Sequence, residues 1–129
     1  MFKKLRLKFA FARLSNDLKK IKNKEYDVKN LMDDLFSKKL SLIQPWQYQN
    51  EFSQLLDQYY SIRPKNVMEI GTANGGTLFA HCKLGQHEAK IISVDLPGGK
   101  FGGGYPDWKT PIYQEFAKSG QQLDLIRAN

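Results

Sequence analysis

The stretch from Val67 to Asp95 constrains the fold of this chain more than any other. Val67, Met68 and Ile70 form a short apolar run ending in Gly71, and Ile91, Ile92 and Val94 form another ending in Asp95. Runs of this kind, bounded by glycine or an acid, read as buried parallel strands. Between them Gly75 and Gly76 open a helical segment over residues 77–85. Strand, turn, helix and strand in so short a span make a βαβ unit, whose crossover is expected to be right-handed. A further helix is predicted over residues 110–119, with Ile112, Tyr113, Phe116 and Ala117 suited to packing, and Leu123–Ile126 begins a third strand.

Upstream the pattern is helical. All ten glycines lie at or after Gly71 and no proline precedes Pro45, so the first 44 residues lack strong helix breakers. Leu7, Phe11, Leu14, Leu18 and Ile21 recur at steps of four and three, the mark of an amphipathic helix. A second helix is predicted over residues 28–43, with Asp33 and Asp34 toward its start and Lys38 and Lys39 toward its end, as the helix dipole prefers. A third, over residues 46–61, places Phe52, Leu55, Leu56 and Tyr59 on one face and stops before Pro64. The expected class is α/β: an incomplete Rossmann-like, doubly wound parallel sheet of about three strands preceded by N-terminal helices. Residues 1–44 would form a basic helical arm, and residues 45–129 the first half of the Rossmann-like domain.

Charge separates the same two regions. Residues 1–30 hold ten lysines and arginines against Asp17, Glu25 and Asp27, a surplus of seven that equals the formal charge of the whole chain. The other 99 residues are formally neutral, so electrostatic partners concern the arm alone. A basic helix with a Phe/Leu stripe suits an anionic membrane surface or a partner helix; the alternative is that the stripe packs on its own domain. Nucleic acid is not favoured, because Phe2, Phe9 and Phe11 sit with the apolar residues and no binding module follows. No run reaches the ~18 apolar residues of a membrane span, and the lone Cys82 suits a reducing compartment. The expected setting is the cytoplasm, at most peripheral to a membrane. No metal site is predicted, since His81 and Cys82 are helix neighbours that point apart and no ligand set completes them.

The chemistry concentrates in Glu69-Ile70-Gly71-Thr72-Ala73-Asn74-Gly75-Gly76. Where a parallel strand turns sharply into a helix, glycine permits unusual backbone angles and close approach of a ligand, and the free N–H groups of the helix start face what binds there. Asp95 ends the second strand 19 residues beyond Gly76, where a carboxylate can accept hydrogen bonds from both ribose hydroxyls of a nucleoside. The dinucleotide spacing G-x-G-x-x-G is not met, and Gly75-Gly76-Thr77 lacks the lysine of a P-loop.

Acid, x, Gly, x, small, x, Gly resembles motif I of the class I S-adenosylmethionine-dependent methyltransferases. E-I-G-T-A-N-G-G-T is similar to a subgroup that includes cephalosporin hydroxylase-like and small-molecule enzymes. The resemblance covers residues 64–129 and implies S-adenosylmethionine as cofactor and a small-molecule or glycan methyl acceptor. It implies that Gly71, Ala73 and Gly75 line the methionine and ribose part, with Thr72 and Asn74 in the same turn. Glu69 would orient the turn or the cofactor's amino group, Asp95 would hold the ribose, and Asn129 would stand near the adenine. Ala73 replaces the family's middle glycine, and Asn129 its frequent acid.

Residues 96–108 carry five glycines in seven residues, which predicts a mobile loop beside the site. Phe101, Tyr105 or Trp108 would then close on the adenine. By the same resemblance the complete sheet has seven strands, so the chain is expected to be a truncated product without methyl transfer, exposing a sheet edge that invites pairing with another chain. Two rivals stand beside this reading: a nicotinamide-dependent oxidoreductase, and a non-enzymatic scaffold docked through the basic arm.

Overall fold

The computed structural model describes residues 1–98 and 102–128. Its centre is a parallel sheet of three strands, β1 (Asn66–Ile70), β2 (Lys90–Asp95) and β3 (Gln122–Arg127), in the order β1-β2-β3. With the helices that precede and connect the strands, the chain is α/β with an incomplete Rossmann-like sheet, as the spacing of its apolar runs predicts. The helices are α1 (Phe2–Lys20), α2 (Val28–Leu35), α3 (Gln49–Ile62), α4 (Gly76–Leu84) and α5 (Thr110–Gln114).

One continuous core joins these elements. Leu14 and Leu18 of α1, Leu31 and Leu35 of α2, Phe52 and Leu56 of α3 and Leu78, Phe79 and Ala80 of α4 are buried with Ile91 and Leu123 of the sheet. The stripe of α1 that ends in Leu14 and Leu18 therefore packs on the chain's own body. Two buried lysines tie down loop carbonyls in this body: the Lys83 ammonium donates to Lys22 O at 2.7 Å, and that of Lys118 to Gly85 O at 2.9 Å. Each replaces a lost water shell by a directional hydrogen bond to an otherwise unpaired carbonyl.

The helical predictions need three corrections. The second helix is broken: α2 ends at Leu35, and a 3-10 segment runs over Lys38–Ile43. The break lies at Ser37, whose hydroxyl and N–H both turn back to Asp34 O, satisfying the helix end locally. Asp27, which accepts from Asn30 N–H at 2.7 Å, caps the start of α2, while Asp33 and Asp34 fall in its last turn. Asp34 is held there by Lys24 and the Tyr26 hydroxyl rather than by the helix dipole. The third helix begins at Gln49, not at Trp46, and the freed Pro45-Trp46-Gln47 segment lies against the first turn of α4. The fifth helix is shorter than predicted and ends at Gln114.

The strands also depart from the expectation of burial on both faces. Glu69, Ile91, Ser93 and Leu123 face the helices and are buried, but Met68 is 64% exposed and Ile70 83% exposed. In register beside them, Ile92, Val94 and Ile126 continue an apolar row across the other face. No described element covers that face, and β1 is a free edge. An apolar face next to an unpaired parallel strand recruits further strands or surfaces. The chain is accordingly expected to self-associate as concentration rises, and Ile70→Lys to shift it toward monomer in sedimentation velocity. An unmodified chain that stays monomeric throughout would show that this face tolerates water.

Candidate nucleoside site at the carboxyl edge of the sheet

At the end of β1 the backbone takes three left-handed conformations in five residues: Gly71 (φ +93°), Ala73 (φ +47°) and Gly75 (φ +91°). The turn thereby alternates its exposure. Gly71 and Ala73 are exposed, Thr72 and Gly75 are buried, and Asn74 lies between. A Cβ added at Gly71 would meet nothing within 4 Å, whereas one at Gly75 would come within 2.7 Å of the Tyr113 ring. At Gly76 it would collide with Ile43 O and Pro45. The glycines thus divide their tasks: Gly71 leaves open space on the outer side of the turn, and Gly75 and Gly76 allow the turn to sit tight on α5 and on the segment before α3.

Five of the eight residues expected at the cofactor, Gly71 to Gly75, line one cavity of about 180 Å³ together with Pro45, Trp46, Gln47, Gly76 and Thr77. Trp46 and Gln47 carry no motif, and only the early break before α3 brings them here. Asn74 is committed to structure, since its amide donates to Gln44 O at 2.9 Å, and Gln47 reaches Thr77 Oγ1 at 3.0 Å. The first N–H groups of α4 have no intrahelical acceptor and carry the positive end of its dipole. A cavity walled by residues 74–77 therefore favours an anionic or carbonyl group.

Asp95 reaches the same turn from β2. Its carboxylate accepts from Ala73 N–H at 3.0 Å and from Leu96 N–H at 2.7 Å, which couples the ends of β1 and β2. A carboxylate has about four acceptor positions, so capacity for ligand hydroxyls remains beside these two bonds.

Glu69 sits elsewhere. It is buried on the helix-facing side of the sheet, where Ser93 Oγ donates to its Oε1 at 2.9 Å and lies 2.7 Å from Thr72 Oγ1. Glu69 thus orients the turn through Ser93 and Thr72. It does not line the cavity, and the contact with a cofactor amino group allowed by the resemblance finds no support in its position. Its other oxygen, Oε2, is 3.6 Å from His81 Nδ1, and both atoms lack a hydrogen-bond partner. Burial pushes the Glu69 carboxyl up to about 7, with Ser93 opposing and Asp95 adding to the rise. Burial likewise pushes the His81 imidazole, stacked on Tyr59, down to about 4. Between about pH 4 and 7 a protonated Glu69 faces a neutral His81, and a small approach would let one proton satisfy both atoms. Ser93 carries no signal in the sequence, and His81 stands out there only as a rejected metal ligand, because each looks like an ordinary strand or helix residue until the fold sets it against Glu69. Cys82, fully buried and pushed up to about 12, is an inert thiol.

The described ends of the glycine-rich loop, residues 96–98 and 102–108, are tied to the body of the protein. Gly102 and Gly104 pack directly on the Pro97 and Leu96 carbonyls, where no side chain fits. Arg127 donates through Nε to Leu96 O at 2.9 Å and through its terminal nitrogen to Tyr105 O, and its guanidinium lies 3.8 Å from the Tyr105 ring centroid. Tyr105 is buried edge-on against Tyr113, whose hydroxyl donates to Ala73 O at 2.8 Å. Tyr105 therefore braces the turn from behind instead of closing on a ligand, and Trp108 packs edge-on against Phe11 of α1. Phe101 and Asn129, the other residues expected at the adenine, lie outside the described residues. Comparison with protein-family models, with curated proteins and with solved structures returns no match for this chain.

Proposed function

We propose that the turn between β1 and α4, with Asp95, is the nucleoside-binding half of a class I methyltransferase site for S-adenosylmethionine. The observation that carries this reading is the junction of open space at Gly71, exposed Ala73 and the Asp95 carboxylate at one edge of the sheet. Residues 71–75 and the N-terminus of α4 suit the methionine part, whose carboxylate matches free N–H donors, and Asp95 suits the ribose. The cavity of about 180 Å³ is smaller than the ~300 Å³ lower bound of ligand pockets, so it accommodates part of the cofactor, with the remainder lying over the exposed edge. The bound sulfonium supplies an electrophilic methyl group; these residues need only hold and align it toward a small-molecule or glycan nucleophile. Glycine spacing disfavours a nicotinamide cofactor.

Calorimetric titration with S-adenosylhomocysteine, beside a parallel titration with NAD, tests this reading. Asp95→Asn retains an acceptor for the turn N–H but loses the charge, and is expected to weaken S-adenosylhomocysteine by about 10-fold or more. Its thermal unfolding should stay close to that of the unmodified chain. Tighter binding of NAD, or no binding by a folded chain, would overturn the assignment.

A further inference from the structure

We propose that the outward face of α1 docks the protein on an anionic lipid membrane surface. Helix α1 carries two apolar stripes rather than one. Leu7, Phe11, Leu14 and Leu18 follow steps of four, three and four and turn toward the body of the protein, where Leu14 and Leu18 are buried and Phe11 packs on the core. Phe2, Leu5 and Phe9 follow steps of three and four on the other side, because two residues along a helix rotate it by about 200°. That second stripe faces water: Phe2 is 78% exposed and Phe9 68%, and no described residue covers it. Arg6 and Arg13 flank it on one side and Lys8 on the other, with Lys3 and Lys4 in the same two turns toward the body-facing side; all five are exposed, and the first acid of the chain is Asp17. Among the described residues none of these five charges meets a carboxylate.

Charge decides the occupant. A protein groove for a Phe/Leu stripe would need acids along both flanks to match these cations, whereas an anionic bilayer offers headgroup charge around an apolar layer in one surface. Two large aromatics and a leucine within about two turns are enough for shallow insertion but not for spanning, and no described helix is long and apolar enough to cross a membrane. Residues 31–129 add no net charge and six of the seven surplus charges lie on α1, so attraction and orientation both come mainly from α1. Lys4 and Lys8 also rim an apolar cavity of about 420 Å³ formed with Leu7, Phe11, Trp108 and Ile112, so cations border apolar surface on the body-facing side of the helix as well.

The test is co-sedimentation of the full chain with phosphatidylcholine vesicles, with and without phosphatidylserine. Binding is expected only with phosphatidylserine, and is expected to vanish near ~1 M salt, where the screening length is about 3 Å. Leu5→Ser with Phe9→Ser removes exposed side chains only, so thermal unfolding should be unchanged while partitioning falls roughly tenfold. Equal binding to neutral vesicles, undiminished binding by the Leu5/Phe9 variant, or displacement from vesicles by a short nucleic acid duplex would overturn the proposal. The last result would assign the surface to nucleic acid.

Discussion

Gly75→Ala is expected to destabilise the protein by about 2–5 kcal/mol, while Gly71→Ala, four residues earlier in the same turn, should cost only about 1–2 kcal/mol. Both positions have φ above +90°, so both substitutions meet the same left-handed backbone strain. Their surroundings differ. At Gly71 the new methyl enters open space. At Gly75 it enters the ring of Tyr113, which cannot swing away, because its hydroxyl is bonded to Ala73 O and it is packed between Tyr105 and Phe116. Urea titration of the two variants measures the difference directly. Ligand binding should order them the other way once the folded fraction is accounted for, since the Gly71 methyl occupies the space through which a nucleoside approaches. Equal destabilisation by the two substitutions would mean that packing on α5 does not govern this turn.

This contrast also shows how far the amino-acid sequence reaches. The βαβ unit, the third strand and the turn were legible because they rest on short-range rules: apolar runs of strand length, glycine where φ is positive, an acid at a strand end. What a glycine is for was not legible, because Gly71 and Gly75 obey the same backbone rule and differ only in what the fold brings beside them. The break at Ser37 depends on a competition between side-chain and helical hydrogen bonds of similar strength, which periodicity does not register. The loop after β2 reads as mobile from its glycines. What holds its described ends is Arg127, more than twenty residues away in sequence, and backbone approaches that only glycine permits. The periodicity of α1 reads as one stripe; the second, Phe2, Leu5 and Phe9, stands out only once the first is seen packed against the 3-10 segment and Trp108.

The buried pair beneath the turn leads to an expected pH signature of comparable size. Glu69 rises from an ordinary 4.5 to about 7, so between those values the folded chain binds more protons than the unfolded one. Its contribution to stability is full below pH 4.5 and is lost as pH rises to 7. His81 falls from an ordinary 6.5 to about 4, so its contribution is full above pH 6.5 and is lost as pH falls toward 4. Across pH 4.5–6.5 the two slopes have opposite sign and offset one another, leaving the unmodified chain nearly flat there. Each group alone is worth on the order of 3 kcal/mol at 1.36 kcal/mol per unit. Glu69→Gln, which keeps an acceptor for Ser93, should therefore become more stable as pH rises from 4 to 6.5. His81→Asn should become less stable as pH rises from 4.5 to 7, and the double variant should be flat again. Urea midpoints at half-unit pH intervals resolve these slopes. A steep slope in the unmodified chain, or parallel slopes in the two single variants, would show that the titrations of Glu69 and His81 do not offset one another.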